Sequence, residues 1–176
     1  MRDRLERFIE PQEQDYEQAL KEIRNGRKVS HWIWYIFPQL RGLGKSYMSD
    51  YYGIRDLDEA KAFLQDPYLG KHLQEISEAL LNLDNDNATQ IMGRPDDMKL
   101  KSSMTLFACA DPENAVFEKV LEKFYNGHKD GRTEYYGAAE PPVRCGESHL
   151  SGLTEPPQFV YLVTLPLLDP VHILLS

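Results

Sequence analysis

Apolar residues recur along most of the chain with a helical period. Between Glu13 and Asn25, Tyr16, Ala19, Leu20 and Ile23 fall at i, i+3, i+4 and i+7, which is one helical face, and Gly26 supplies a stop. Asp56 followed by Glu59 has the form of a capping box, with Ala60, Phe63 and Leu64 as the stripe behind it and Pro67 as its end. Leu69, Leu73, Ile76, Leu80 and Leu83 carry the spacing on to about Asp84, where the polar Asp84-Asn85-Asp86-Asn87 turn begins. Pro95 stands where a first-turn proline belongs, ahead of Leu100, Met104, Phe107 and Ala108. Asp111-Pro112 opens a last helix through Phe117, Val120, Leu121 and Phe124, closed by Gly127. The pattern predicts a mainly α, compact, single-domain multi-helix fold with little or no sheet.

Two stretches depart from it. Ser30 to Phe37 is aromatic and β-branched, which propensity assigns to a strand. Its length fits a buried helical turn equally well. Beyond Gly137, Pro141-Pro142, Gly146, Gly152 and Pro156-Pro157 punctuate a segment without helical period, which ends in a candidate strand at Gln158 to Leu165. The sequence therefore divides into a helical domain, 1–137, and an irregular, Pro/Gly-rich tail, 138–176.

Composition narrows the function. A chain of 176 residues suffices for one domain with a real core. A net charge of −8 argues against a general nucleic-acid or anionic-membrane binder, which needs a basic face. Cys109 and Cys145 cannot form a disulfide framework or a four-cysteine zinc site. The charged start, Met1 to Arg7, has no apolar signal region, and no apolar run is long enough to span a bilayer. A cytoplasmic location is the expectation.

The charge reverses locally. Arg24, Arg27, Lys28, Arg41 and Lys45 occur in a stretch, Ile23 to Tyr47, that holds no acid, and both tryptophans, Trp32 and Trp34, lie in it. Gln39, Arg41, Gly42, Gly44, Lys45 and Ser46 form a polar, glycine-containing segment of the kind that can hold an anion through backbone amides and cationic side chains. The same residues also fit an aromatic core followed by a turn. A nucleotide P-loop does not fit, because the position five ahead of Gly44 is Gln39 rather than glycine. A second cluster, Gly93 to Thr105, places Asp97, Lys101 and Ser103 on one helix. Its aspartates also suit the helix dipole alone. The five histidines have no pair at ligand spacing, so neither metal nor cofactor is implied.

At these clusters the chain resembles the bacterial and fungal domain-of-unknown-function 1810 family, whose members have often carried a calpastatin label. The resemblance rests on His31-Trp32-x-Trp34-x-Ile36-Phe37-Pro38-Gln39-Leu40-Arg41-Gly42-Leu43-Gly44, on Gly93-x-Pro95-Asp96-Asp97-x-Lys99-Leu100-Lys101-Ser102-Ser103-Met104-Thr105, and on Phe117-x-x-Val120-Leu121-x-x-Phe124-Tyr125. It implies a compact helical domain and brings no established activity. A more distant similarity to the NADAR family, in a glycine–arginine turn, a helix bearing Lys101 and Met104, and Lys123-Phe124-Tyr125, implies ADP-ribose and N-glycosidic chemistry.

These observations lead to an expected polar site between the Trp34–Ser46 loop and the Asp97–Thr105 helix, holding an anionic small molecule such as a nucleotide or an ADP-ribose-like compound. Arg41, Lys45 and Lys101 would hold the anion, Trp34 would stack, and Gln39, Ser46 and Ser103 would supply hydrogen bonds. If the protein hydrolyses an N-glycosidic bond, His31 and Asp97 are the candidate acid and base. The rival expectation is a non-catalytic interaction module that displays Trp32, Trp34 and Tyr35 as an aromatic patch.

Overall fold

The computed structural model describes residues 2–136, with side chains for residues 5–134. Among them are nine helices, α1 (Arg2–Arg24), α2 (Ile33–Ile36), α3 (Tyr47–Tyr51), α4 (Leu57–Gln65), α5 (Leu69–Leu81), α6 (Ala88–Met92), α7 (Asp96–Ala110), α8 (Val116–Tyr125) and α9 (Gly131–Tyr136). No strand forms among the described residues, and the one isolated β-bridge there pairs Leu40 with Ile54. The tail expectation, including the candidate strand at Gln158 to Leu165, lies outside the described residues.

The helical stripes become the core. α1 begins eleven residues ahead of the expected Glu13 and carries Pro11 inside it. A proline there removes a backbone donor and crowds the preceding turn. Burial compensates, since Phe8 and Leu5 are buried one and two turns ahead of Gln12, and Phe8 meets Phe63 of α4 edge-on with ring centroids 5.2 Å apart. Asp56 caps α4 as its sequence predicts, accepting the Glu59 N–H at 2.8 Å. The Glu59 carboxylate reaches the Arg55 N–H instead of closing the box on Asp56. The last predicted helix starts later than Asp111. Residues 111–115 form a turn, and α8 begins at Val116.

α7 is the central helix. It packs against α2, α4, α6, α8 and α9, so little of it beyond its first turns meets solvent, and it buries Ser102, Ser103 and Thr105 among Leu100, Met104 and Phe107. The aromatic stretch resolves as a single helical turn, α2, in which Ile33, Tyr35 and Ile36 are all buried. Its backbone bonds internally, the Ile36 N–H to the Trp32 carbonyl at 3.3 Å and the Phe37 N–H to the Ile33 carbonyl at 3.0 Å, so it needs no partner strand.

Candidate functional site

The two tryptophans have different surroundings. Trp32 is buried, and its Nε1 donates to the Glu22 carboxylate of α1 at 2.8 Å. The same carboxylate accepts the Val29 N–H at 2.8 Å, the Ser30 N–H at 3.0 Å, the Ser30 hydroxyl at 2.5 Å and the Gln18 amide at 3.1 Å. Burial pushes this carboxyl up, and the donors from Ser30, Val29 and Gln18 more than reverse that, holding it at about 2. Glu22 thus fastens the 25–32 connection to α1 and sets the approach to α2.

Trp34 is half-buried and faces α7. Lys99 Nζ stands 4.6 Å from the centroid of its ring. Lys99 also donates to Asp96 Oδ1 at 2.8 Å, and Lys28 binds Asp96 Oδ2 at 2.7 Å. Lys28 donates to the Ser30 carbonyl at 2.6 Å and lies 5.0 Å from the Trp32 ring. Burial of Asp96 raises its carboxyl, but the two ammonium groups outweigh this and lower it, so the group is ionised at neutral pH. The result is a half-buried row of Lys28, Asp96 and Lys99 with Trp34 over its end.

On the two facing elements, two buried polar atoms have no hydrogen-bond partner, Trp34 Nε1 on α2 and Ser103 Oγ on α7. Ser103 lies one turn beyond Lys99 on the same face of α7, and a helical side chain leans back over the preceding turn. Neighbouring hydroxyls on α7 are satisfied. Ser102 donates to the Met98 carbonyl at 3.1 Å and to Asp130 at 2.9 Å, and Thr105 donates to the Lys101 carbonyl at 2.9 Å. Ser103 alone of these three hydroxyls makes no such bond.

The remaining expected residues fall as follows. Arg41 is exposed and pairs with Asp50 at 3.6 Å. Gln39 and Ile54 are tied by backbone bonding at 2.9 Å, and Gly42 takes a positive φ of 90°. Lys45 is exposed. Gly44 leaves room for the side chain of Ser49, whose Oγ would overlap an added Cβ. Ser46 caps α3 by accepting the Ser49 N–H at 3.1 Å. Among the described residues, no hydrogen bond or ion pair joins the Arg41–Ser46 segment to α7. Lys101 lies 5.8 Å from the Tyr125 ring. His31 is exposed. Asp97 is buried and accepts the Thr89 hydroxyl at 2.6 Å and the Met98 N–H at 2.9 Å, while its carbonyl accepts from Tyr125 at 2.6 Å.

The structure therefore joins the first cluster to the second through Trp34 and Lys99. Lys28 belongs to the basic stretch and Asp96 and Lys99 to the second motif, and none of the three is among the expected site residues. The signal was present, because Asp96, Lys99 and Ser103 follow i, i+3, i+7. The aromatic patch expected of the rival reading does not form, since Trp32 and Tyr35 are 1% and 5% exposed. Aromatic side chains of that size repay burial in a core. Cys109, on the last turn of α7, is partly buried.

An open cavity of about 460 Å³ lies elsewhere, between the end of α1 and α5, lined by Arg24, Glu75, Glu78, Ala79, Asn82 and Leu83. None of the expected site residues lines it. No helix among the described residues is long and apolar enough to cross a membrane.

An all-helical domain with its two motif blocks meeting at a tryptophan–lysine contact is the class these features define. The chain belongs to the family described as "Protein of unknown function (DUF1810)", whose model matches residues 2–136. Among solved structures it is similar to the conserved hypothetical protein Rv1873 from Mycobacterium tuberculosis, with 45% identity, a TM-score of 0.73, and coverage of 74% of this chain and 94% of that one. No curated protein matches it.

Proposed function

We propose that the protein binds a small anionic molecule where α2 meets α7. The observation that carries this reading is Lys99, which is held on Asp96 at 2.8 Å and against the Trp34 ring at 4.6 Å, beside a buried indole N–H with no partner. Lys99 keeps two of its three donors, because only one is committed to Asp96. A cation fixed in position loses little freedom on binding, which favours affinity. Lys28 supports the site from behind Asp96. Arg41 and Lys45 lie on the neighbouring loop and enter this reading only through it.

Nucleotides, NAD and ADP-ribose are the first ligands to test, as the distant NADAR similarity suggests. The reading is one of binding. Asp97 accepts the Thr89 hydroxyl and the Met98 N–H across the α6–α7 turn and is given no part in holding the anion. A thermal-shift panel tests the reading. A ligand at a hundred times its dissociation constant stabilises by about 2.7 kcal/mol, which for a domain of this size raises Tm by about 5–10 °C. Lys99→Met removes that response. A panel with no response, or a response that Lys99→Met leaves intact, contradicts the reading.

A further inference from the structure

Resting on the binding site just described, we propose that it takes one singly charged oxyanion group, a carboxylate or a phosphodiester oxygen, and discriminates against the doubly charged phosphate monoester. The donor inventory fixes the kind of group. The uncommitted functions are the remaining N–H groups of Lys99, the Trp34 Nε1–H and the Ser103 hydroxyl. An ammonium and an indole can only donate, and a serine hydroxyl can do so, so the group that completes them is an acceptor. Ser103 is fully buried and turned away from the i−4 carbonyl that its neighbours use, which leaves its hydroxyl for a partner outside the helix.

The charge count fixes the valence. Lys28 and Lys99 contribute two positive charges, and Asp96, bonded to both, contributes one negative. Glu22, held behind Trp32 by neutral donors from Gln18, Val29, Ser30 and Trp32, keeps its own negative charge but forms no ion pair with Lys28 or Lys99, so it stands outside the row. The row therefore offers one net positive charge to a ligand. A second negative charge would stand unpaired in a half-buried site beside Asp96, where an uncompensated charge is costly. A phosphate monoester carries close to two charges above its second pKa of about 6. The diphosphate of an ADP-ribose-like compound is a chain of singly charged units and lacks that terminal group.

Calorimetric titration of the full chain with benzoate, dimethyl phosphate and phenyl phosphate tests this. At pH 8, benzoate or dimethyl phosphate should bind at least about tenfold more tightly than phenyl phosphate, and whichever binds better identifies the source of the group. Lowering the pH to 5 makes phenyl phosphate singly charged, so its affinity should rise at least about tenfold while that of dimethyl phosphate holds. Ser103→Ala should weaken each interaction about tenfold and still melt at or above the parent temperature. Phenyl phosphate binding as tightly as the others at pH 8 overturns the charge selection and leaves the binding reading in place. If none of the three binds while the nucleotide panel responds, this inference alone fails. If neither set responds, both fail.

Discussion

Lys99 Nζ lies 4.6 Å from the centre of the Trp34 ring, and with the Lys28–Asp96 ion pair this contact joins the two most distinctive stretches of the sequence. Lys99 is therefore the residue whose loss separates binding from folding. Lys99→Met keeps the side chain's apolar length against the indole and leaves Lys28 on Asp96. The expected stability cost is about 1 kcal/mol, in keeping with a half-buried ion pair that retains a second partner. The ligand-induced rise in Tm should vanish. Thermal melts with and without ligand measure both quantities.

Ser102 and Ser103 are adjacent in sequence and should respond in opposite ways to the same change. Ser102 donates to the buried Asp130 carboxylate at 2.9 Å, so Ser102→Ala strips a donor from a buried charge and should cost about 1.5–3 kcal/mol. Ser103 Oγ is buried without a partner, so Ser103→Ala should leave the ligand-free protein unchanged or stabilise it by about 1 kcal/mol. Urea unfolding of the two variants settles the comparison. A loss at Ser103 equal to that at Ser102 would mean that Ser103 has only a structural role.

Glu22 sets a pH dependence with a definite sign. Its carboxyl is lowered from 4.5 to about 2 in the folded chain. The unfolded chain therefore binds the proton first as pH falls, and the stabilisation is complete above about 4.5 and disappears by about 2. The shift corresponds to about 3 kcal/mol. Glu22→Gln should be less stable than the parent by about that amount at pH 7, and the gap should close between pH 4.5 and 2. A gap that stays constant across that range contradicts the role given to the carboxylate.

The loop before α3 depends on Gly53. A Cβ there would lie 2.7 Å from the Arg41 Cα and 2.9 Å from the Ser49 carbonyl oxygen, both backbone atoms. Gly53→Ala should destabilise by about 2–3 kcal/mol. Gly131, with nothing within 4 Å of an added Cβ, provides the control, and Gly131→Ala should change stability by less than about 1 kcal/mol.

Much of the fold is legible in the sequence because its long helices bury regular stripes. Tyr16, Ala19, Leu20 and Ile23 on α1, and Leu69, Leu73, Ile76 and Leu80 on α5, are buried as their spacing predicts. The short helices were harder. α3 and α6 have five residues each, too few for a period, and are set by the caps Ser46 and Asn87. Pro11 hid the first turns of α1, because a local rule was overridden by the distant contact of Phe8 with Phe63. In the site, the sequence pointed to Trp34, Ser103 and the meeting of two blocks. It favoured the exposed Arg41 and Lys45 over Lys28 and Lys99, because exposure, and pairing between residues far apart in sequence such as Lys28 with Asp96 and Trp34 with Lys99, leave no local mark.

The chain holds two tryptophans, so the indole N–H region of a proton–nitrogen NMR spectrum should contain two resonances, one from Trp32 and one from Trp34. Trp32 Nε1 is bonded to Glu22 and serves as an internal reference, whereas Trp34 Nε1 has no partner. Addition of a ligand that raises Tm should move the Trp34 indole resonance strongly downfield, as a new hydrogen bond does, and leave that of Trp32 nearly in place. A ligand that stabilises the protein while the Trp34 resonance stays where it was would place the binding site elsewhere and contradict the account.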